Sequence, residues 1–308
     1  ACACYDLTMK ILVSGSSGLI GAALSARLTE AGHELTRLVR SEPRPGEAAI
    51  RWDPAGGSLP SEPLEGLDAV IHLAGENIAQ GRWTEAKKAR ILQSRVQGTE
   101  LLATALAHLS APPKVLVSAS AVGFYGNRGD EELDESSEPG TGFLADVCRR
   151  WEVATEAAAE ARIRVVPLRI SMVLSGKGGA LGKMLPIFRW GLGGPLGSGR
   201  QYVSWITLND LVDAIRHVLL TDSIHGPTNA VAPVPVTNRQ FTRALGRALR
   251  RPAWAPVPAF ALRAMLGEMA DELLLSSARV VPRRLLDSGF TFRDGNLDSA
   301  LERLLAAK

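Results

Sequence analysis

Cysteine is scarce: three residues in 308, with Cys2 and Cys4 at the very start and Cys148 alone. No disulfide framework follows from them, and no pair of CxxC hooks. That usage fits a reducing, cytoplasmic setting. The five histidines, His33, His72, His108, His217 and His225, fall without ligand spacing, so no metal site is expected. Long apolar runs are missing as well. No stretch of about eighteen uninterrupted apolar residues occurs, which removes an ordinary transmembrane helix and a membrane partner. Excess charge of one sign is also missing. The 35 Lys and Arg against 32 Asp and Glu leave +3, too little for a strongly basic nucleic-acid binder. The leader ACACYDLT lacks the basic and apolar regions of a signal peptide. It reads as a cloning remnant or an upstream start taken as coding, and is set aside.

What is present is a chain with 46% hydrophobic residues, enough for a sizeable core and against wholesale disorder. The expected partner is a small molecule. Lys10 to Ser14 (KILVS) reads as a short buried strand, followed by glycines and then an amphipathic helix from Leu19 to Ala31. Further strands are expected at Glu34 to Val39, Asp68 to Leu73, Lys114 to Ser118 and Arg164 to Ile170. Helical spacing runs from Thr84 to Leu109 and from Phe143 to Ala161. Strand and helix alternate as in a parallel sheet. From Gly176 to Gly199 the pattern loosens into glycine clusters. Helices return at Asn209 to Leu220, Asn238 to Leu249, Phe260 to Ala270 and Asp298 to Leu305. No internal repeat is found. The expected fold is α/β: a Rossmann-type doubly wound parallel sheet over residues 9–175, rejoined by segments around 200–235. A smaller C-terminal α/β substrate lobe takes most of residues 176–308.

The segment Gly15-Ser16-Ser17-Gly18-Leu19-Ile20-Gly21 has the GxxGxxG spacing between a strand and a helix, the context such a motif requires. Gly15 permits the tight exit from the strand. Gly18 lets the backbone approach a pyrophosphate, and Gly21 lets the helix pack closely with its positive end toward the phosphates. NAD-selective folds carry an acidic residue about 20 positions on, against the ribose 2′-hydroxyl. Here the second strand ends Arg37-Leu38-Val39-Arg40-Ser41. Arg40 suits a 2′-phosphate, although Glu42 could serve a 2′-hydroxyl and both arginines could be solvated charges at a strand end. NADP(H) is favoured over NAD.

The segments GSSGLIG, HLAGENI (His72 to Ile78), SASAVGFYG (Ser118 to Gly126) and LGGPLGSGRQYVSWITLNDL (Leu192 to Leu211) together resemble the extended short-chain dehydrogenase/reductases. With the VVPRRLLDSGF tail they resemble the atypical branch of sugar-nucleotide epimerase-like proteins. The resemblance spans Met9 to Leu305. It implies NAD(P) held by Gly15, Ser17, Gly18, Leu19, Ile20, Gly21 and Arg40. Further contacts are implied from Leu73, Ala74, Gly75, Glu76, Arg95, Ser118, Cys148 and Leu168. It also implies a homodimer through the Thr84 and Phe143 helices.

The full pattern of that superfamily uses a Ser/Thr, a Tyr and a Lys four residues on, the Lys lowering the pKa of the phenol. Here Leu144 stands where the Tyr belongs and Cys148 where the Lys belongs. Ser120 matches the Ser/Thr, with Ser118 as the other register. Arg95 stands where a structural or proton-relay Asn is usual. Cys148 is either a thiol facing the nicotinamide, its pKa lowered by Arg95 or Arg149, or a small buried residue on a packed helix. Tyr125 is either a replacement proton donor at the mouth or a turn residue. Arg200, Gln201, Trp205 and Asp210 are candidate substrate contacts, Asp210 equally a helix cap.

Three functions are therefore weighed. One is an NADP(H)-dependent oxidoreductase or epimerase acting on a polar small molecule such as a nucleotide sugar. The second is a catalytically silent NADP(H)-binding regulatory or sensing protein, a reading to which relatives add division-related functions. The third, a purely structural or chaperone-like protein, does not account for the glycine loop.

Overall fold

A computed structural model describes residues 8–306; Cys2, Cys4 and most of the leader lie outside the described residues. β1 (Lys10–Ser14) is buried from its second residue on and leads into α1 (Leu19–Glu30). β2 (Glu34–Val39), β3 (Ala49–Arg51) and β4 (Ala69–His72) follow, then the 23-residue α2 (Glu85–Ala107). Next come β5 (Val115–Ala121), the short β6 (Glu132–Leu133), α3 (Phe143–Val153), α4 (Glu156–Glu160) and β7 (Arg164–Ile170). Beyond them lie β8 (Met172–Ser175), α5 (Gly179–Arg189), β9 (Tyr202–Val203), β10 (Trp205–Thr207), α6 (Leu208–Leu220) and β11 (Thr228–Ala230). The chain ends with β12 (Val236–Thr237), α7 (Asn238–Leu249), α8 (Ala259–Leu266), β13 (Arg279–Val280), α9 (Arg283–Asp287) and α10 (Leu297–Ala306).

Seven strands form one sheet in the order β11-β7-β5-β4-β1-β2-β3, every described pairing parallel. Parallel strands need crossovers, and the crossovers cover both faces. Ile11, Val13, Ile71, Val117 and Leu168 pack with Leu24 and Leu28 of α1 and Leu211 and Ile215 of α6. Leu12, Val70 and Leu116, alternate along the same strands, pack with Leu102, Ala103 and Leu106 of α2. The strand order reverses between β1 and β4, whose helices go to opposite faces. This is a Rossmann fold, and the crevice at such a reversal is where ligands bind in open α/β sheets.

A separate core joins Leu174, Leu181, Leu185, Phe188, Trp205, Phe241, Leu245 and Leu301 from β8, α5, β10, α7 and α10. The region read as loose glycine clusters therefore holds a helix, α5, and its Gly193 and Gly194 leave no room for a Cβ against Phe188 and Ala255. The single helix expected from Phe143 to Ala161 is two, divided at Ala154 and Thr155, where the Thr155 hydroxyl turns back to the Glu152 carbonyl. Such back-bonding by threonine competes with the helix ladder. Among the described residues no helix is long and apolar enough to cross a membrane, and no group of three or more His, Cys, Asp or Glu gathers as a metal set.

Candidate functional site

Ser14 closes β1, and Gly15 follows at φ +67°. A Cβ on Gly15 would lie 2.8 Å from the Leu73 carbonyl at the exit of β4, and one on Gly21 only 2.2 Å from the Gly15 carbonyl oxygen. Real Cβ atoms do not approach backbone so closely, so Gly15 is required by the crossing of the β1 and β4 exits and Gly21 by the packing of the first turn of α1 on the Gly15–Ser16 backbone. Gly18 differs. It is exposed, and its Cβ would meet only the Gly15 oxygen at 3.3 Å. As the N-cap of α1 it offers no side chain to the first-turn amides of Leu19, Ile20 and Gly21, and no acidic residue stands in that turn. Uncapped amides at the positive end of a helix, beside a position with no side chain, form a receptive site for an anion.

The loop after β4 supplies the facing wall. Ser14 Oγ accepts from the amides of Leu73 and Ala74 at 3.1 and 3.3 Å and bonds His72 Nδ1 at 2.7 Å. Ser14, His72 and Ser118 stand side by side in register on β1, β4 and β5, so this buried row shares one face of the sheet. Burial drives the pKa of His72 down to about 4. Gly75 is exposed, with the Arg95 guanidinium within van der Waals reach. Arg95 donates to the carbonyls of Ile91 and Glu76, each at 3.1 Å, and lies over the Trp151 ring. The Glu76 carboxylate turns instead to Lys87 at 2.8 Å. That hydrogen bond lowers its pKa.

Two residues further along β5 and on the same face, Ser120 Oγ donates to Glu152 Oε1 at 2.7 Å. Arg169 of β7 grips both Glu152 oxygens with parallel bonds of 2.9 Å and donates to the Tyr125 hydroxyl at 3.0 Å. The same guanidinium lies 3.5 Å from the Phe124 ring centroid. Cys148, one helical turn before Glu152, is buried. Neither Glu152 nor Arg169 was expected as a site residue. Arg169 lies in a strand, where an arginine is expected to face solvent, and Glu152 in a helix that also carries Asp146, Arg149 and Arg150, so neither position by itself marked a site.

Two open alternatives are decided, for Cys148 and Tyr125, and two expectations, Leu168 and Ser118, need correction. The Cys148 thiol is not activated: burial, and then the charge of Glu152, push its pKa up to about 12, against the smaller pull of Arg95, while Arg149 is engaged by Asp146. Tyr125 does not reach the mouth. It is fully buried, its one proton faces the Asp134 carbonyl at 2.9 Å and Asn229 Oδ1 at 2.8 Å, and burial raises its pKa to about 12. Leu168 is an interior residue of the sheet core, with no exposed side chain to offer a cofactor. Ser118 is buried beside His72, its hydroxyl closed off from solvent.

The substrate-side candidates divide in the same way. Trp205 is fully buried in the second core, and Gln201 donates to the carbonyls of Leu196 and Leu274. Asp210 accepts from the amides of Arg293 and Asp294, and the cap of its helix is Thr207. Arg200 alone of the four is exposed. Ser17 is exposed and Leu19 and Ile20 are half-buried at the loop, with Arg40 exposed at the end of β2.

Sheet order, glycine loop and crevice define a Rossmann protein of the nucleotide-dependent α/β class. The family model described as NAD dependent epimerase/dehydratase family matches residues 11–230, and a domain of unknown function, DUF1731, matches residues 257–304. The chain belongs to the NAD dependent epimerase/dehydratase family. It is similar to an epimerase family protein of Mycobacterium bovis, at 45% identity over 94% of this chain and 96% of the relative. It is also similar to epimerase family protein SDR39U1 of Homo sapiens, at 38% identity over 97% and 100%. The crystal structure of the human protein (isoform 2) with NADPH superposes with a TM-score of 0.89 at 37% identity, covering 97% of this chain and 100% of that one. A nucleoside-diphosphate sugar epimerase from Corynebacterium glutamicum gives a TM-score of 0.80 at 39% identity, covering 96% of this chain and 58% of that one.

Proposed function

We propose that this protein binds NADP(H) in the crevice between β1 and β4 and acts as an oxidoreductase or epimerase on a polar small molecule, a nucleotide sugar being the class its relatives suggest. One observation carries the reading: the uncapped first turn of α1, open at Gly18 and walled by Leu73, Ala74 and Gly75, is built to receive a pyrophosphate. The human relative solved with NADPH supports the phosphorylated form of the cofactor. So does the end of β2. Glu42, the residue that would serve a 2′-hydroxyl, is paired with Arg51, whereas Arg40 makes no ion pair among the described residues.

When bound, the cofactor supplies hydride transfer. The chain's own contribution begins at Ser120. Its hydroxyl proton is directed to Glu152, so its lone pairs are left to accept a hydrogen bond from a substrate hydroxyl. A proton entering at Ser120 Oγ can pass to Glu152, which Arg169 holds in place. Glu152 is then a positioning and proton-accepting residue behind Ser120, in a site whose Tyr and Lys positions are Leu144 and Cys148. The experiment is a screen of NADPH oxidation and of isomerised product over nucleotide sugars and small carbonyl compounds, with Ser120→Ala as control. Turnover abolished by Ser120→Ala supports the reading.

A second reading rests on Leu144 and Cys148 themselves. With a thiol held near pKa 12 and no phenol–amine pair, the protein would be a catalytically silent NADP(H)-binding regulator. Cofactor binding without turnover, and a partner captured only by the cofactor-loaded form, support it. On either reading α2 and α3 are the proposed dimer helices, and light scattering at the mass of one chain counts against that assembly.

A further inference from the structure

Arg239, Arg243 and Arg247 recur every four residues along α7, and Arg250 caps its C-terminus. Residues so spaced share one helical face. Arg251 follows, and these five arginines with Trp254 line a groove of about 740 Å³ that no acidic residue enters. Among the described residues only Arg247 is paired with a carboxylate, that of Asp298. Arg239 and Arg251 donate to the carbonyls of Ser198 and Arg189, each at 3.0 Å. Four of the five charges of the groove therefore have no carboxylate partner among the described residues.

Three local features run against folding economy here. Like charges four residues apart on a helix repel. Arg250 adopts φ +53°, at the capping position where glycine is the usual residue. Trp254 leaves 78% of its surface in water. Departures of this kind mark functional places in a fold. The ligand that relieves the repulsion and covers the indole has several negative charges and a flat ring. Guanidinium forks match phosphate oxygens, an indole face stacks on a base, and the volume lies within the range of small-molecule sites. None of the lining residues belongs to the Gly15–Gly21 loop or to the Ser120 cluster.

We propose that the α7 groove is a second site, for a nucleoside polyphosphate, its phosphates held by the arginines and its base stacked on Trp254. The test is calorimetric titration of the full chain, held at saturating NADPH, with ATP, inorganic tripolyphosphate and adenosine in turn. Folding of each variant is checked by circular dichroism. ATP is expected to bind, Arg243→Ala to weaken it tenfold or more, and Trp254→Ala to weaken ATP while leaving tripolyphosphate unchanged. Gly18→Ala, whose methyl fills the pyrophosphate place of the proposed cofactor crevice, is expected to bind ATP as the unmodified chain does. Absence of ATP binding, or binding indifferent to Arg243→Ala, overturns the site. Equal effects of Trp254→Ala on ATP and tripolyphosphate overturn the stacking and with it the nucleotide. ATP binding lost in Gly18→Ala places the ligand in the other crevice and also overturns the proposal.

Discussion

Ser120 on β5 gives its hydroxyl proton to Glu152 on α3 across 2.7 Å, and Arg169 on β7 holds that same carboxylate from behind with two bonds of 2.9 Å. Both partners of the ion pair are almost wholly out of solvent. Removing one charge of a buried pair leaves the other uncompensated, at a cost of about 3–5 kcal/mol. Glu152→Gln is therefore expected to be destabilised by that order. Glu152→Gln combined with Arg169→Met should recover most of the loss. Urea unfolding of the two variants checks this, and a double variant no more stable than the single one would show that the pair is not coupled.

Gly18 and Gly21 are expected to fail in different ways. A Cβ on Gly21 has no space, lying 2.2 Å from the Gly15 oxygen, so Gly21→Ala should lower the melting temperature and abolish nucleotide binding together. Gly18 has an ordinary φ of −76° and a single contact at 3.3 Å. Gly18→Ala should keep its fold and lose NADPH, because its methyl occupies the place the pyrophosphate needs. Thermal melts alongside fluorescence titration separate the two, and retention of NADPH affinity by Gly18→Ala contradicts the close approach assigned to it.

Cys148 should be inert. With burial and Glu152 holding its thiol near pKa 12, almost no thiolate exists at pH 8, and the thiolate is the reactive form. Among the described residues it is the one cysteine, so mass mapping of its own peptide after iodoacetamide reads it directly. Labelling is expected only under denaturing conditions. Rapid native labelling would favour the activated thiol, the other of the two readings the sequence left open.

His72 makes stability depend on pH. Its folded pKa of about 4 lies below the ordinary histidine value of 6.5, so between those values the unfolded chain binds a proton that the folded chain does not. Stability contributed by the neutral ring is present above pH 6.5 and is lost as pH falls toward 4, by about 3 kcal/mol in all. His72→Gln removes this component. The slope of unfolding free energy between pH 7 and pH 5 should flatten in the variant, and an unchanged slope assigns the acid sensitivity elsewhere.

Much of the sheet could be read from the residues because its strands are short apolar runs punctuated by glycine, as at KILVS and RVVPLRI. β3 and β11 could not, since three residues carry no periodicity and their strand identity comes from the neighbour they pair with. α5 was hidden by Gly178, Gly179 and Gly182, which read as loop, although its apolar face at Leu181, Leu185 and Phe188 is what the second core buries. In the candidate site the glycine loop was legible because spacing alone expresses it. Arg169 was not, because an arginine inside a strand is expected to face solvent until a carboxylate on another element is seen to meet it. The choice between an activated and a merely buried Cys148 stayed open for a related reason: proximity in sequence to Arg149 says nothing about burial, and burial dominates its titration.

The central claim is that the crevice between β1 and β4 takes NADP(H) with Arg40 on the 2′-phosphate. Calorimetric titration of the purified chain with NADPH and NADH, repeated on Arg40→Ala, tests it most directly. Selective NADPH binding is expected, weakened in Arg40→Ala by about 1.5–3 kcal/mol, the worth of a hydrogen bond to a charged group. Equal affinity for both nucleotides that Arg40→Ala leaves unchanged would contradict the role of Arg40, and binding of neither would contradict the crevice itself.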